Sequence, residues 1–224
     1  MNECFFLFHI ILLVSFVLFS LKAGKESLIT CFVLQVILAN LFVTKQIFCF
    51  GLHITCTDVY TIGSLFTLNL LQEYFGKRYA IQAIWILSFL CFFFIVMSQM
   101  HLIYLPSSYD VMHPAFQAIL SSTPKILFAS LFVAILTQKL DVELFGYFKT
   151  KFSKKSLILR FGGTSLLTQL IDTLLFSFIA LHGLVHNIGD VIVMSYLIKV
   201  IIIFCLTPFT ILAKRMIHND FVQI

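Results

Sequence analysis

The sequence predicts an all-α fold: a polytopic integral membrane bundle of about seven transmembrane helices, N-terminus outside and C-terminus cytoplasmic. Three observations predict it. First, 60% of the 224 residues are hydrophobic, 11% are charged and the mean hydropathy is +1.04. A soluble domain of this size cannot hide that much apolar surface. Second, the apolar residues fall into runs long enough to cross about 30 Å of hydrocarbon as helices, without the alternating segments of a β-barrel. Third, the basic residues are segregated. Lys22, Lys25, Lys77, Arg78, Lys139, Lys149, Lys151, Lys154, Lys155, Lys214 and Arg215 fall in alternate loops and the C-terminal tail. The intervening stretches 51–56, 101–123 and 182–190 hold no Lys or Arg. Short cytoplasmic loops collect Lys and Arg, so this asymmetry orients the bundle.

Segment one covers about Cys4–Leu21. No basic region precedes it and Lys22 and Lys25 follow it, so it reads as an uncleaved helix rather than a signal peptide. Segment two is expected as one helix over about Leu28–Phe50, carrying Gln35, Asn40, Thr44, Lys45 and Gln46. Segment three, about Thr57–Tyr74, is the most polar, with Asp58, Thr61, Ser64, Thr67, Asn69, Gln72 and Glu73. Segment four, about Tyr79–Met100, is nearly pure Phe, Leu, Ile and Val and reads as lipid-facing. In the connection that follows, PAFQAILSS predicts a short surface helix with Pro114 near its start. Segment five is about Pro124–Gln138, and a basic loop, Lys139–Ser156, comes next. Segment six is about Leu157–Leu181. Segment seven is about Val191–Ala213, with Pro208 as a kink. Segments two to four and five to seven form two triplets, each with its most polar helix in the middle. Odd triplets in series run in opposite senses, which allows an inverted repeat with a site between the middle helices. The whole chain, 1–224, is expected to form a single transmembrane domain.

Candidate chemistry centres on residues 162–176, GGTSLLTQLIDTLLF. On a helix, Ser165, Gln169, Asp172, Thr173 and Phe176 share one face. A carboxylate at the bilayer centre costs about 2.5–3.5 kcal/mol on insertion scales, so this face looks onto other helices or a wet cavity. Lys199, midway along segment seven, is the expected counter-charge of Asp172. Glu73 has a local partner in Lys77 at i+4, and Arg160 reads as an interfacial anchor. Lys45 either snorkels outward or lines the cavity. Gly162 and Gly163 predict close helix packing or a local break. The six cysteines lie mostly within apolar runs and contain no CxxC, so they read as small core residues. His182 and His186 lack a well-spaced third metal ligand. No GxSxG, HExxH or Walker pattern occurs, so neither an enzyme nor a built-in ATPase is predicted. No cofactor and no metal is expected, and charge confined to short loops argues against nucleic acid as a partner. Carboxylates, the amides of Asn40, Asn69 and Gln169, and aromatic rings suit a flat heterocycle rich in hydrogen-bonding groups.

Five stretches in order carry a more specific likeness: LQVILANLFVTKQIFCFGL (34–52), LNLLQEYFGKRYAIQAIWI (68–86), STPKILFASL (122–131), LRFGGTSLLTQLIDTLLF (159–176) and LTPFTILAKRM (206–216). Together they resemble the queuosine precursor transporters over about residues 28–216, which leaves 1–27 as an extra N-terminal helix and loop. The family pattern S/T-x-x-x-Q-x-x-D-T is met by Ser165, Gln169, Asp172 and Thr173. In segment three the pattern is met by Glu73, Gly76, Lys77 and Arg78, while Asn69 stands where Asp is common and Phe75 where Tyr is common. The resemblance implies a multi-pass importer in the cytoplasmic (inner) membrane for a 7-deazaguanine-type base, either 7-cyano-7-deazaguanine, its aminomethyl relative or queuine, used in tRNA modification. The partners implied are that small-molecule base and the lipid bilayer, with a homo-oligomer allowed. The expected substrate-binding residues are Asp172, Gln169, Asn69, Glu73, Thr173, Asn40, Lys45 and Lys199. Two alternatives stay open: a substrate-binding subunit served by a separate ATP-driven module, and an intramembrane enzyme using Asp172 and Glu73.

Overall fold

The computed structural model describes residues 2–43, 45–55, 57–120, 124–151, 157–180 and 188–221. They form an integral membrane helical bundle of α1 (Asn2–Ala23), α2 (Lys25–Phe42), α3 (Thr57–Tyr74), α4 (Lys77–Ile103), α5 (His113–Leu120), α6 (Pro124–Lys151), α7 (Leu157–Ala180), α8 (Ile188–Leu206) and α9 (Phe209–Phe221), with one small hairpin, β1 (Gln46–Cys49) and β2 (Leu52–Thr55). Among the described residues, five stretches are long and apolar enough to cross a membrane: Asn2–Ala23, Lys25–Phe42, Lys77–Ile103, Leu157–Ile179 and Ile192–Met216.

α3 is the axis. Every residue from Ile62 to Gln72 is buried, so the helix has no lipid-facing side. Its polarity is therefore compatible with a membrane bundle: its neighbours, rather than lipid, receive its amides and hydroxyls. α2 lies along one flank, where the Gln35 amide donates to Thr67 Oγ1 at 2.9 Å. The approach is close because residue 63 is glycine. A Cβ there would overlap the Gln35 side-chain oxygen and the Leu13 methyls of α1. α1 belongs to the same core through Phe6, Ile10, Val14, Val17 and Leu21. α4 buries Ala80, Ala83, Ile84, Leu87 and Cys91 and exposes Trp85, Phe89, Phe92 and Phe93. Its small residues face protein and its large rings face outward, as a helix at the lipid boundary requires.

Three expectations about elements change. Segment two is not one helix to Phe50. α2 stops at Phe42 and the chain reverses as an antiparallel hairpin pairing Gln46 with Thr55 and Cys49 with Leu52. Phe50 (φ 53°) and Gly51 (φ 77°) form its two-residue loop. Left-handed backbone at both loop positions matches the twist of hairpin strands. The basic stretch after segment five is not a loop, because α6 continues through it to Lys151. Segment seven is interrupted rather than bent: α8 ends at Leu206, and α9 restarts after Thr207 and Pro208. Proline lacks the N–H that would continue the helix. The surface helix stands as expected at His113–Leu120, with no buried residue. Asp110 Oδ1 accepts the backbone N–H groups of Met112 (2.8 Å) and His113 (3.1 Å) and so caps its start.

Gly162 and Gly163 lie inside α7, where Cβ positions would sit 3.6 Å from Thr207 and 3.5 Å from Phe148. They serve packing and produce no break. Among the described residues the cysteines Cys4, Cys31, Cys49, Cys91 and Cys205 are all free. His182, His186, Lys154 and Lys155 lie outside the described residues.

Candidate functional site

Five helices enclose a cavity of about 250 Å³. α2 contributes Asn40, α3 contributes Asp58, Thr61 and Ser64, α6 contributes Ser130, Thr137 and Gln138, α7 contributes Gln169, Asp172, Thr173 and Phe176, and α8 contributes Ser195 and Lys199. Its volume falls just below the range of small-molecule sites, about 300–1,000 Å³. Each polar residue is aimed inward by helical spacing. Asp58, Thr61 and Ser64 recur every third residue on α3, and Gln169, Asp172, Thr173 and Phe176 share a face of α7.

The charged centre is a buried ion pair. Lys199 Nζ donates to Asp172 Oδ2 at 2.7 Å and to Thr173 Oγ1 at 3.1 Å. Thr137 Oγ1 lies 3.2 Å from Asp172 Oδ1. The side chains of Lys199 and Asp172 are only 8% and 16% exposed. Asp58 faces the same ammonium from α3 and interacts with both members of the pair. Lys199 thus pairs with Asp172 and faces a second carboxyl group, Asp58, across the same cavity. On the opposite wall Asn40 is held by Ser130, whose hydroxyl donates to Asn40 Oδ1 at 3.0 Å. Gln169 Oε1 and Gln138 Oε1 are buried and have no partner within the protein. Phe176 is the one aromatic side chain among the described lining residues, fewer than the ring-stacking expectation supposed.

Of the eight site residues expected from sequence, Asp172, Gln169, Thr173, Asn40 and Lys199 line this cavity and Asn69, Glu73 and Lys45 do not. Lys45 is exposed, just ahead of β1. The hairpin that replaces the last turns of segment two carries it away from the bundle interior. Asn69 is buried three turns along α3 from Asp58, in a second polar layer beyond the cavity. Glu73 is further still, at the end of α3. It does not use Lys77, which pairs with Glu143 at 2.7 Å. Arg160 grips it instead: Nη1 and Nη2 each donate at 2.9 Å, one to each carboxylate oxygen. Lys149 Nζ adds contacts at 3.0 Å to the Glu73 carboxylate and carbonyl. Arg160 is thus a buried partner rather than an interfacial anchor. A two-pronged guanidinium–carboxylate pair fixes orientation as well as distance, and here it ties α3 to α7.

The second layer holds Asn69 and Gln72 of α3, Asp141 of α6, and Ser165 and Thr168 of α7, all buried. Gln72 donates to the Val142 carbonyl at 2.9 Å. Thr168 Oγ1 lies 3.0 Å from Asp141 Oδ1. Polar side chains therefore run continuously from the cavity, through this layer, to the Glu73–Arg160 bridge. Sequence reasoning missed two carboxylates of this column. Asp58 was legible as polar but sits in a first helical turn, where an acid has a local explanation. Asp141 was hidden in what reads as a basic loop.

Comparison with known proteins bears on the same residues. The family model described as "Putative vitamin uptake transporter" matches residues 47–213. A protein of Bacillus subtilis (strain 168) named "Probable queuosine precursor transporter" is 32% identical over 225 residues, covering 98% of this chain and 97% of its own. That coverage takes in most of α1, beyond the stretch where the sequence likeness was first noted. No solved structure matches the chain.

Proposed function

This chain belongs to the vitamin uptake and queuosine precursor transporter family; it is a multi-pass membrane transporter rather than an enzyme, and from that premise we propose that it imports a queuosine precursor base. The observation that carries the reading is the cavity between α2, α3, α6, α7 and α8: lined by amides, hydroxyls and two carboxyl groups against one ammonium, and close in size to a single fused heterocycle. A deazaguanine presents an N–H and NH2 edge that two carboxylate acceptors match. Asp58 and Asp172 face that edge. Gln169 and Gln138 offer carbonyl oxygens that lack a protein partner, Asn40 serves the opposite side of the ring, and Phe176 covers its face. Lys199 holds the Asp172 carboxyl in position through its 2.7 Å contact. The site takes 7-cyano-7-deazaguanine or queuine.

The Lys and Arg asymmetry supports the Glu73 end of α3 as cytoplasmic, the C-terminus as cytoplasmic and the N-terminus as external, in an inner membrane. α3 and α6 then act as two further spans beside the five apolar ones, giving seven in a single domain. With that orientation the cavity belongs to the outer half, and the Glu73–Arg160–Lys149 cluster closes the inner half. Import requires that cluster to part while the outer half closes, a shift between two populated states.

The test uses cells lacking their own importer and base synthesis. Each base is supplied with a compatible tRNA-inserting enzyme, and queuosine is read in tRNA. The wild-type chain is expected to restore queuosine with one of the bases, while Asp58→Asn and Asp172→Asn lose it at normal membrane abundance. No restoration with either base by a well-inserted wild type would overturn the substrate assignment. Uptake by the purified chain alone in liposomes would exclude a separate ATP-driven module.

A further inference from the structure

We propose that Asp141 is the proton-binding carboxyl of this transporter, carrying one proton through the membrane with each base imported. The inference rests on the transport reading above but concerns a residue outside the cavity. Asp141 is fully buried (0% exposed), yet no ion pair reaches it among the described residues. The charged groups of the helices packed on α6 are engaged elsewhere. Glu73 of α3 and Arg160 of α7 hold each other, Asp172 of α7 pairs with Lys199, Asp58 of α3 feels the same ammonium at longer range, and Lys77 of α4 pairs with Glu143. Arg78 of α4 is exposed, and Lys139 of α6 lies over the Trp85 ring. A bare carboxylate in such surroundings is costly, and the usual outcome is that it holds a proton.

Local hydrogen bonding gives little support to a charge there. Thr168 Oγ1 donates to Asp141 Oδ1 at 3.0 Å, but the same single hydroxyl proton is shared with the Thr164 carbonyl of its own helix, also at 3.0 Å. Asp141 Oδ2 and Ser165 Oγ are buried without hydrogen-bond partners, and the Asn69 amide lies beside the Asp141 carboxyl. Asp141 follows Thr137 and Gln138 of the cavity wall by one turn, about 5 Å of helix rise. It stands between the cavity and the Glu73–Arg160 bridge. A proton taken from cavity water by the carboxylate is held while the site is occluded. It returns to water on the other side when the bridge parts, and the carboxylate is regenerated.

Purified protein in liposomes tests this, with the membrane potential clamped and no sodium gradient. One proton per base gives about tenfold accumulation per unit of pH difference. Wild type is expected to approach that value. Asp141→Asn, which keeps the neutral shape, is expected to lose accumulation while retaining base-for-base exchange. Wild-type accumulation that ignores the pH gradient, or follows sodium instead, overturns the proposal. So does an Asp141→Asn protein that still accumulates with pH. A wild type that exchanges no base sinks the substrate reading instead, and infrared spectroscopy then decides about Asp141 without substrate. At neutral pH the wild type is expected to show a protonated-carboxyl band that Asp141→Asn lacks, and its absence refutes the proposal. Thr168→Val, which removes the hydroxyl in contact with Asp141 Oδ1, is expected to shift the band.

Discussion

Lys199→Met removes the one cation among the described lining residues of a site with two acids, and the cost can be worked from the geometry. At 2.7 Å and an effective dielectric of about 20, the direct attraction to Asp172 is about 6 kcal/mol. Desolvation offsets much of this, so the loss observed on breaking a buried pair is about 3–5 kcal/mol. Asp172→Asn is expected to cost less, because Asp58 remains beside the ammonium. What is lost there is one charged hydrogen bond, about 1.5–3 kcal/mol. The double variant should cost less than the sum, with a coupling of about 0.5–3 kcal/mol. Denaturation midpoints of the four proteins in one detergent give the cycle, and tRNA queuosine gives the activity. The double variant should regain stability without regaining uptake, since Asp172 is assigned to the base as well as to Lys199. Additive losses would refute the pairing energetics. Equal losses for the two single variants would refute the role given to Asp58, and recovered uptake would reduce Asp172 to a structural residue.

Other outcomes follow from the same structure. Gly63→Ala should lower stability by about 1–3 kcal/mol through overpacking, and Gln35→Ala in the same chain should recover part of the loss; midpoint shifts check both. Glu73→Gln should free Arg160 and Lys149, so that a cysteine introduced at Ser165 reacts faster with a thiol reagent than in wild type, and an unchanged rate would exclude the bridge as a closure. Gly51→Val should destabilise the hairpin by about 1–2 kcal/mol, because a β-branched residue resists the left-handed backbone there; a proteolysis rate across 46–55 measures it.

What the sequence made legible depended on how far each signal had to travel. Long apolar runs and the polar face of α7 are local properties, and α1, α4, α7 and the Asp172–Lys199 pair follow from them. The hairpin did not, because QIFC and LHIT are only four residues each, too short for the alternation visible in LHIT to identify a strand. Their strand pairing depends on the turn at Phe50 and Gly51. The end of α6 was concealed by lysines that look like a loop, although charged residues continue a helix readily once it has left hydrocarbon. Glu73 shows the limit most clearly. Lys77 stood at the favourable i+4 spacing, but Gly76 ends the helix before that spacing applies, and Arg160, eighty-seven positions away, takes its place.

The burial of α3 on every side has a consequence for how the chain is made. A segment with Ser64, Thr67, Asn69 and Gln72 in its interior and Asp58 and Glu73 at its two ends partitions poorly into lipid by itself, since polar groups there need partners that lipid does not supply. As the ribosome delivers it, only α1 and α2 are present to receive it. Its Gln35–Thr67 contact with α2 is among the first available, while the Glu73 clasp must wait for α7. Biogenesis therefore depends on retention of α3 near the insertion machinery until later helices arrive. Chains interrupted between α4 and α7 should be substrates for membrane quality control, whereas completed ones should escape it.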